Sequence, residues 1–112
     1  MVNPTGGLGD FEQLVLLAIL QLGPGAHAPA IRDAIERAAD RTVTRGALYS
    51  TLDRLDAKGL ISWSPEPGPT ARGGVPRRLF SLTSAGLGAL RRTWSALTAL
   101  ARGVEGHLGS VS

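Results

Sequence analysis

The chain of 112 residues has no cysteine, which excludes disulfide bonds, thiolate metal sites and a cysteine nucleophile. It also lacks a long hydrophobic run, because the longest, LVLLAIL, is far shorter than the ~20 residues that cross a bilayer. Its first residues do not show the basic and then apolar segments of a signal peptide. These absences predict a soluble, cytoplasmic protein without a membrane partner.

Patterns of catalytic and metal-binding residues are missing as well. No serine or pair of acids carries a catalytic signature, and no histidine lies in a cluster with metal-ligand spacing. The glycine-rich segment ARGGVP lacks the lysine and the helix start of a phosphate-binding loop. We therefore expect neither an enzyme nor a cofactor or metal site, and we interpret His27 and His107 as surface residues.

Acidic residues are scarce in the second part of the chain. Residues 66–112 carry six arginines and two acids, whereas residues 1–65 carry six basic and seven acidic side chains. No acid occurs between Pro67 and Val104. This asymmetry favours a polyanionic partner, although solvated arginines would explain it about equally well.

The chain is 43% hydrophobic, and its apolar residues predict a succession of helices in one domain. The first, with Asp10 as its N-cap and Gly23 at its end, is apolar all round, which indicates burial on more than one side, including by a second subunit. A second helix is expected to start near Pro29. Thr44 is expected to cap a third helix that ends at Gly59.

The third helix has two different faces. Its inner face should pack into the core and consists of Ala47, Leu48, Thr51, Leu52 and Leu55. Its outer face carries Gly46, Tyr49, Ser50 and Asp53, with Arg45 and Arg54 at its edges. The polar groups on this outer face are available to contact another molecule.

Two strands are expected after the third helix. In LISWS, Ile61 and Trp63 share one face, and in RRLFSLT, Phe80 and Leu82 alternate inward. Helix, turn, helix and basic hairpin is the order of a winged helix-turn-helix, which places one helix in the major groove of DNA. The predicted DNA-binding residues of this wing are Arg72, Arg77 and Arg78.

A last helix is expected to be capped by Thr83 or Ser84. Its apolar residues recur in steps of three and four, a heptad pattern typical of a helix that packs along another helix. No other predicted helix of this chain is free to cover it, so we expect a second copy of the protein as its partner. The predicted dimer seam consists of Leu87, Leu90, Trp94, Leu97, Ala101 and Val104, and the heptad pattern continues to Leu108.

These patterns divide the chain into four parts. We expect a flexible N-terminus at residues 1–9, a winged helix-turn-helix DNA-binding domain at 10–83, a dimerisation helix at 84–108 and a loose tail at 109–112. The predicted fold class is mainly α, of the α+β type: a winged helix-turn-helix with a two-stranded wing and a long C-terminal helix.

Three segments, in order, resemble the PadR family of bacterial transcription regulators. GALYSTLDRLDAKGLI resembles the central motif, RRLFSLT followed by SAG resembles the arginine-rich strand, and LVLLAILQLGP resembles the leucine-rich first helix. Leu79 and Phe80 stand where the family often carries paired tyrosines. The single C-terminal helix resembles the short branch of the family, which dimerises through that helix alone.

The resemblance implies a homodimeric repressor of palindromic promoter DNA that is often released by a small aromatic or cationic compound. The resemblance to short members of the family also implies a ligand cavity between subunits, which Trp94 would line with Phe11 nearby. The candidates for DNA contacts on the third helix are Thr44, Arg45, Gly46, Tyr49 and Ser50.

Each assignment has an alternative. Arg45 could form a bidentate hydrogen bond with a guanine or contact a phosphate. Tyr49 could contact DNA or pack between helices. Trp94 could contact a ligand or only fill the dimer seam. The whole protein could instead be a winged-helix module that binds another protein and not DNA. Within the DNA-binding class, a MarR-type regulator is a further alternative, although its dimer arms use helices at both termini.

Overall fold

The computed structural model describes residues 8–68 and 74–109, so Arg72 and most of the predicted N-terminal segment and tail lie outside the described residues. A short 3₁₀ turn joins the first two helices. The mainly helical winged helix-turn-helix with a two-stranded antiparallel wing is confirmed. The elements are α1 (Asp10–Leu22), α2 (Ala28–Ala39), α3 (Arg45–Ala57), β1 (Ile61–Pro65), β2 (Arg78–Leu82), α4 (Ser84–Ala101) and α5 (Glu105–Leu108).

Three local signals act at the helix ends as predicted. Gly23 and Gly59 follow the ends of α1 and α3 with φ of 64° and 73°, a left-handed conformation that glycine adopts at no steric cost. Thr44 is the N-cap of α3, since its Oγ1 accepts a hydrogen bond from the backbone N–H of Ala47 at 3.1 Å.

The predicted cap of α1 is wrong. Gly9 occupies the N-cap position, and Asp10 is the first residue of the helix. The carboxylate of Glu12 reaches back and accepts a hydrogen bond from the N–H of Gly9 at 2.9 Å, which satisfies the donor that an N-cap leaves open.

One hydrophobic core lies between α1, α2, α3 and the hairpin. Its most deeply buried side chains are Val15, Leu16, Ile31, Val43, Leu48, Leu55 and Ile61. The inner face of α3 is buried at Leu48, Thr51, Leu52 and Leu55. Ala47, also predicted for that face, is exposed, as are Arg45 and Gly46 before it, so the burial of α3 begins at Leu48.

The hairpin is anchored at one end only. Ile61 pairs with Leu82, and Trp63 pairs with Phe80. Phe80 is buried, and its N–H donates to the carbonyl of Ala26 at 2.8 Å, which fixes β2 to the turn before α2. Trp63 shares the face of Ile61 but is 43% exposed, because the outer half of the hairpin extends past the core.

The start of α4 is bound closely to the end of α3. Thr83 is its N-cap, and the hydroxyl accepts from the N–H of Gly86 at 3.0 Å while donating to the carbonyl of Gly59 at 2.7 Å. A Cβ at position 86 would collide with the carbonyl oxygen of Leu60. Only glycine therefore allows this approach of α4 to the chain before β1.

The last helix is shorter than predicted. Instead of one helix over 84–108, α4 ends at Ala101, and α5 is a separate single turn. Arg102 is extended and Gly103 has a φ of 87°, a conformation outside the helical range that glycine adopts readily. Val104 and Leu108, the last two residues of the predicted heptad pattern, thus lie beyond a break.

Among residues 8–68 and 74–109, no helix is both long and apolar enough to span a membrane.

Candidate nucleic-acid interface

The outer face of α3 is exposed from its first turn. Thr44, Arg45, Gly46, Tyr49 and Ser50 are all exposed, as a helix that enters a DNA groove requires. The guanidinium of Arg45 lies 5.6 Å from the centre of the Tyr49 ring, within the range of a cation–π contact. No atom of the described residues lies within 4 Å of a Cβ built at position 46, so their packing does not require glycine there.

A concave surface of about 1100 Å³ lies between α2, the outer face of α3 and the wing, and we term it the wing groove. The α3 and wing residues that line it include Arg45, Tyr49, Asp53, Arg77 and Arg78. The fold thus brings together two groups of residues that are some thirty positions apart in the sequence.

The charges on the α2 side of the wing groove largely cancel. Glu36 lies 3.8 Å from Arg32 and accepts a hydrogen bond from the N–H of Val43 at 2.9 Å. Asp33 pairs with Arg37 at 2.8 Å. On the α3 side, by contrast, no carboxylate of the described residues lies within ion-pair distance of Arg45.

The two described wing arginines each contact an aromatic ring. The guanidinium of Arg78 lies over the ring of Trp63, 4.5 Å from the ring centre, and covers part of the exposed indole. Nη1 of Arg77 lies 3.1 Å from Nε2 of His27, whose Nδ1 faces the backbone N–H of Ala30 at 3.3 Å. The Arg77–His27 contact ties the base of the wing to the start of α2, whereas the Arg78–Trp63 contact lies within the hairpin.

His27 therefore has more than the surface role predicted for it. It is half-buried, is the N-cap of α2 and lines the wing groove. The prediction missed this because Arg77 is fifty residues away in the chain, and no local pattern links the two.

A second residue missed by sequence reasoning is Glu12, a buried acid of α1. Its Oε2 accepts hydrogen bonds from Nζ of Lys58 at 2.9 Å and from Nε of Arg54 at 3.4 Å. Burial alone would raise the pKa of Glu12, but the Gly9 N–H and these two cations together lower it below its usual value. The charged carboxylate thereby ties α1 to the second half of α3.

The predicted dimer seam is mostly uncovered in the single chain. Gly86, Ala89 and Leu90 of α4 are buried, but the apolar residues farther along are exposed. Their exposed fractions are 64% for Trp94, 52% for Leu97, 79% for Leu100, 42% for Val104 and 65% for Leu108.

The predicted ligand pair is not brought together by the wing groove, since neither Trp94 nor Phe11 lines it. Phe11 is half-buried at the start of α1, with the guanidinium of Arg41 5.3 Å from its ring centre. Trp94 lies on the exposed part of α4. The described residues contain no group of three or more potential histidine or carboxylate metal ligands.

The sequence matches the model of the transcriptional regulator PadR-like family over residues 16–92, more than half of the chain. Similar solved structures include a PadR-like transcription factor from Bacteroides fragilis, with 26% identity, a TM-score of 0.66 and coverage of 86% of this chain and 87% of that one. A PadR family transcriptional regulator from Eggerthella lenta has 26% identity, a TM-score of 0.63 and coverage of 88% and 83%. A PadR-like regulator from Bacillus cereus, at 18% identity, shares the fold with a TM-score of 0.69 over 89% and 92%. No curated protein matches the chain.

Proposed function

Since the chain belongs to the PadR-like family of transcriptional regulators, we propose that it is a cytoplasmic, homodimeric repressor of a palindromic DNA operator. Like the other members of the family, it is a regulator and not an enzyme. The observation that carries the DNA-binding part of the proposal is the exposed outer face of α3, with Arg45 unpaired by any described carboxylate and a basic wing beside it.

In the proposed complex, α3 enters the major groove with its first turns. Arg45 and Tyr49 contact bases, and the hydroxyls of Thr44 and Ser50 contact phosphates. Gly46 lets the backbone of α3 approach the DNA, since a side chain there would occupy the open space in front of the helix. Arg77, Arg78 and the predicted wing residue Arg72 neutralise flanking phosphates.

The homodimer is proposed from the apolar half of α4. A soluble monomer rarely exposes so many large apolar side chains on one helix. A second copy that packs along α4 would cover Trp94, Leu97 and Ala101, while the exposed Leu17 and Leu20 of α1 add a neighbouring apolar surface. Two-fold symmetry would then present two α3 helices to two half-sites of a palindrome, about 34 Å apart.

A small aromatic or cationic effector is part of the same proposal. In the dimer, the indole of Trp94 would border the space between subunits and stack on a flat compound. Phe11 would contribute to the wall of that space from the start of α1. Quenching of tryptophan fluorescence by candidate compounds, with Trp94→Phe as the control, tests this step.

The decisive experiment is selection of binding sequences from random DNA by the purified protein, at low and at higher salt. We expect a palindromic consensus and an affinity that falls steeply with salt. Arg45→Ala should lower the discrimination at one base position of each half-site by about tenfold. Arg91→Ala, an exposed arginine of α4 outside the wing groove, is the matched control and should leave the consensus unchanged.

The wing offers a test against the alternative, a winged-helix module that binds protein. Replacing Arg77 and Arg78 by glutamate should weaken binding to all DNA sequences and reduce its salt dependence. A parent protein that selects no consensus, and binds random DNA as weakly as this variant does, would favour the protein-binding alternative.

A further inference from the structure

Asp53 is an acid on the side of α3 that the proposed function turns towards DNA. It is exposed and lines the wing groove together with Arg45 and Tyr49. A carboxylate in this place is unfavourable beside phosphates, because like charges repel. General affinity for a polyanion therefore does not explain why an acid occupies this position.

The three outward residues are spaced regularly along the helix. Arg45, Tyr49 and Asp53 are separated by steps of four residues, and each step turns by only about 40° around the helix axis. Over eight residues the axis rises about 12 Å, which corresponds to roughly three to four base pairs at 3.4 Å each. Arg45 and Asp53 can thus face different bases within one half-site.

The charge of Asp53 is not used within the described part of the chain. No Lys or Arg of residues 8–68 and 74–109 lies within ion-pair distance of its carboxylate. The other two acids that line the wing groove, Asp33 and Glu36, both pair with arginines of α2. Among the acids of the wing groove, Asp53 is therefore the one whose charge no described lysine or arginine balances.

The chemistry of base edges selects one partner for such an acceptor. In the major groove, cytosine presents its N4 amino group and no acceptor of its own, although O6 of the paired guanine lies beside it. Adenine presents its N6 amino group beside the acceptor N7, and guanine and thymine present acceptors. Each of these acceptors repels a carboxylate. Cytosine is thus the one base whose own edge offers the carboxylate of Asp53 a donor and no acceptor.

We propose that Asp53 is a specificity-determining residue that accepts a hydrogen bond from the N4 amino group of a cytosine, three to four base pairs from the base contacted by Arg45. This inference rests on the proposed DNA-binding function. Tyr49, between the two, holds the guanidinium of Arg45 through its ring face, so that Arg45 faces a guanine. Each half-site then contains a guanine and a cytosine at this fixed separation.

The test is sequence selection with the parent, Asp53→Asn and Asp53→Ala. The parent should select cytosine at the Asp53 position. The asparagine variant should shift that single position towards adenine, because an amide donates to N7 and accepts from N6. The alanine variant should lose the preference at that position by about tenfold, while its affinity for random DNA rises because a negative charge is gone.

Asp56→Asn is the matched control. Asp56 is an exposed acid of the same helix that does not line the wing groove, so the same change of charge should leave the consensus unaltered. All the positions changed are exposed, and thermal unfolding of each variant should match the parent.

Two results would overturn the inference in different ways. If both Asp53 variants keep the parent consensus and only raise affinity for all sequences, Asp53 acts by charge alone and the proposed function stands. If the parent itself selects no consensus, the proposed function fails first and the inference falls with it.

Discussion

The helices α3 and α4 both begin with a threonine cap and both pack one face on the body of the protein, but their remaining surfaces are opposite in character. The inner face of α3 is buried from Leu48 to Leu55, and its outer face carries hydroxyls and charges. The helix α4 is buried only up to Leu90, and beyond that point its exposed residues include Trp94, Leu97 and Leu100.

This difference indicates which partner each helix accepts. A firmly held helix with a polar outer face suits a charged ligand, because its position does not depend on that ligand. A helix held only at its start, with large apolar side chains beyond, reaches its lowest free energy when another apolar surface covers it. The contrast between the two helices supports the proposal that α3 contacts DNA and α4 contacts a second subunit.

The largest effect on this difference between the two helices is expected from displacing the anchored start of α4. Gly86→Ala places a methyl group against the carbonyl oxygen of Leu60, a backbone atom that cannot move aside alone. We expect a loss of about 4 kcal/mol in the free energy of unfolding, measured by denaturant titration.

Gly88→Ala is the control for this change. Among the described residues, its new Cβ would meet only the end of the flexible Arg92 side chain, at 3.4 Å. Alanine also favours a helix over glycine by about 1 kcal/mol. This variant should be as stable as the parent or more so. Equal destabilisation by both variants would contradict the close approach at Gly86.

The same substitution in each helix distinguishes a core position from a seam position. Leu55 of α3 is fully buried, so Leu55→Ala should cost about 3 kcal/mol of stability through lost contacts and a cavity. Leu97 of α4 is exposed in the single chain, so Leu97→Ala should instead weaken self-association by about tenfold.

Analytical ultracentrifugation over a range of protein concentrations separates these two effects. The Leu97 variant should dissociate at higher concentration than the parent, whereas the folded fraction of the Leu55 variant should self-associate normally. A parent that stays monomeric at all concentrations would refute the assignment of α4 as a dimer helix.

The ion pairs of Glu12 with Arg54 and Lys58, which join α1 to α3, predict a pH dependence of stability. The pKa of Glu12 is lower in the folded protein than its usual value of 4.5, so the unfolded chain binds more protons in acid. The stabilisation is therefore fully present above about pH 4.5 and is lost as the pH falls through the lowered pKa. Glu12→Gln should cost about 1 kcal/mol at neutral pH and flatten the stability curve in this acidic window.

Asp10→Asn serves as the control, since Asp10 is an exposed acid in the same turn of α1. Chemical denaturation from neutral pH down to acid should give parallel curves for this variant and the parent. Parallel curves for the Glu12 variant as well would show that the ion pairs to Arg54 and Lys58 contribute nothing measurable.

Features that depend on neighbours in sequence were predictable. The cap by Thr44, the helix ends at Gly23 and Gly59 and the inward position of Phe80 all follow from local propensity and periodicity. The exposed outer face of α3 follows from the same periodicity, because burying one side of a helix fixes which residues lie on the other.

Features that depend on distant contacts were not predictable from one sequence. Glu12 looked like an ordinary acid in a first helical turn, and its partners Arg54 and Lys58 lie more than forty residues away. The end of α4 at Ala101 was missed because the heptad pattern continued to Leu108, although the conformation of Gly103 breaks the helix. Periodicity indicates which face is apolar but does not show where the backbone leaves the helix.

The smallest expected effect is the difference in stability loss between alanine variants of the two threonine caps. Thr44 makes one capping hydrogen bond, to the N–H of Ala47, and Thr44→Ala should cost about 1 kcal/mol. The hydroxyl of Thr83 makes the corresponding bond to Gly86 and also donates to the carbonyl of Gly59, so Thr83→Ala should cost about 1 kcal/mol more than Thr44→Ala. Thr83→Ser keeps both bonds and should recover most of that loss in thermal unfolding. Equal losses for the two alanine variants would mean that the bond between the start of α4 and the end of α3 adds nothing to a simple cap. The start of α4 would then be anchored by its backbone bond to Leu60 and by the packing of Gly86, Ala89 and Leu90.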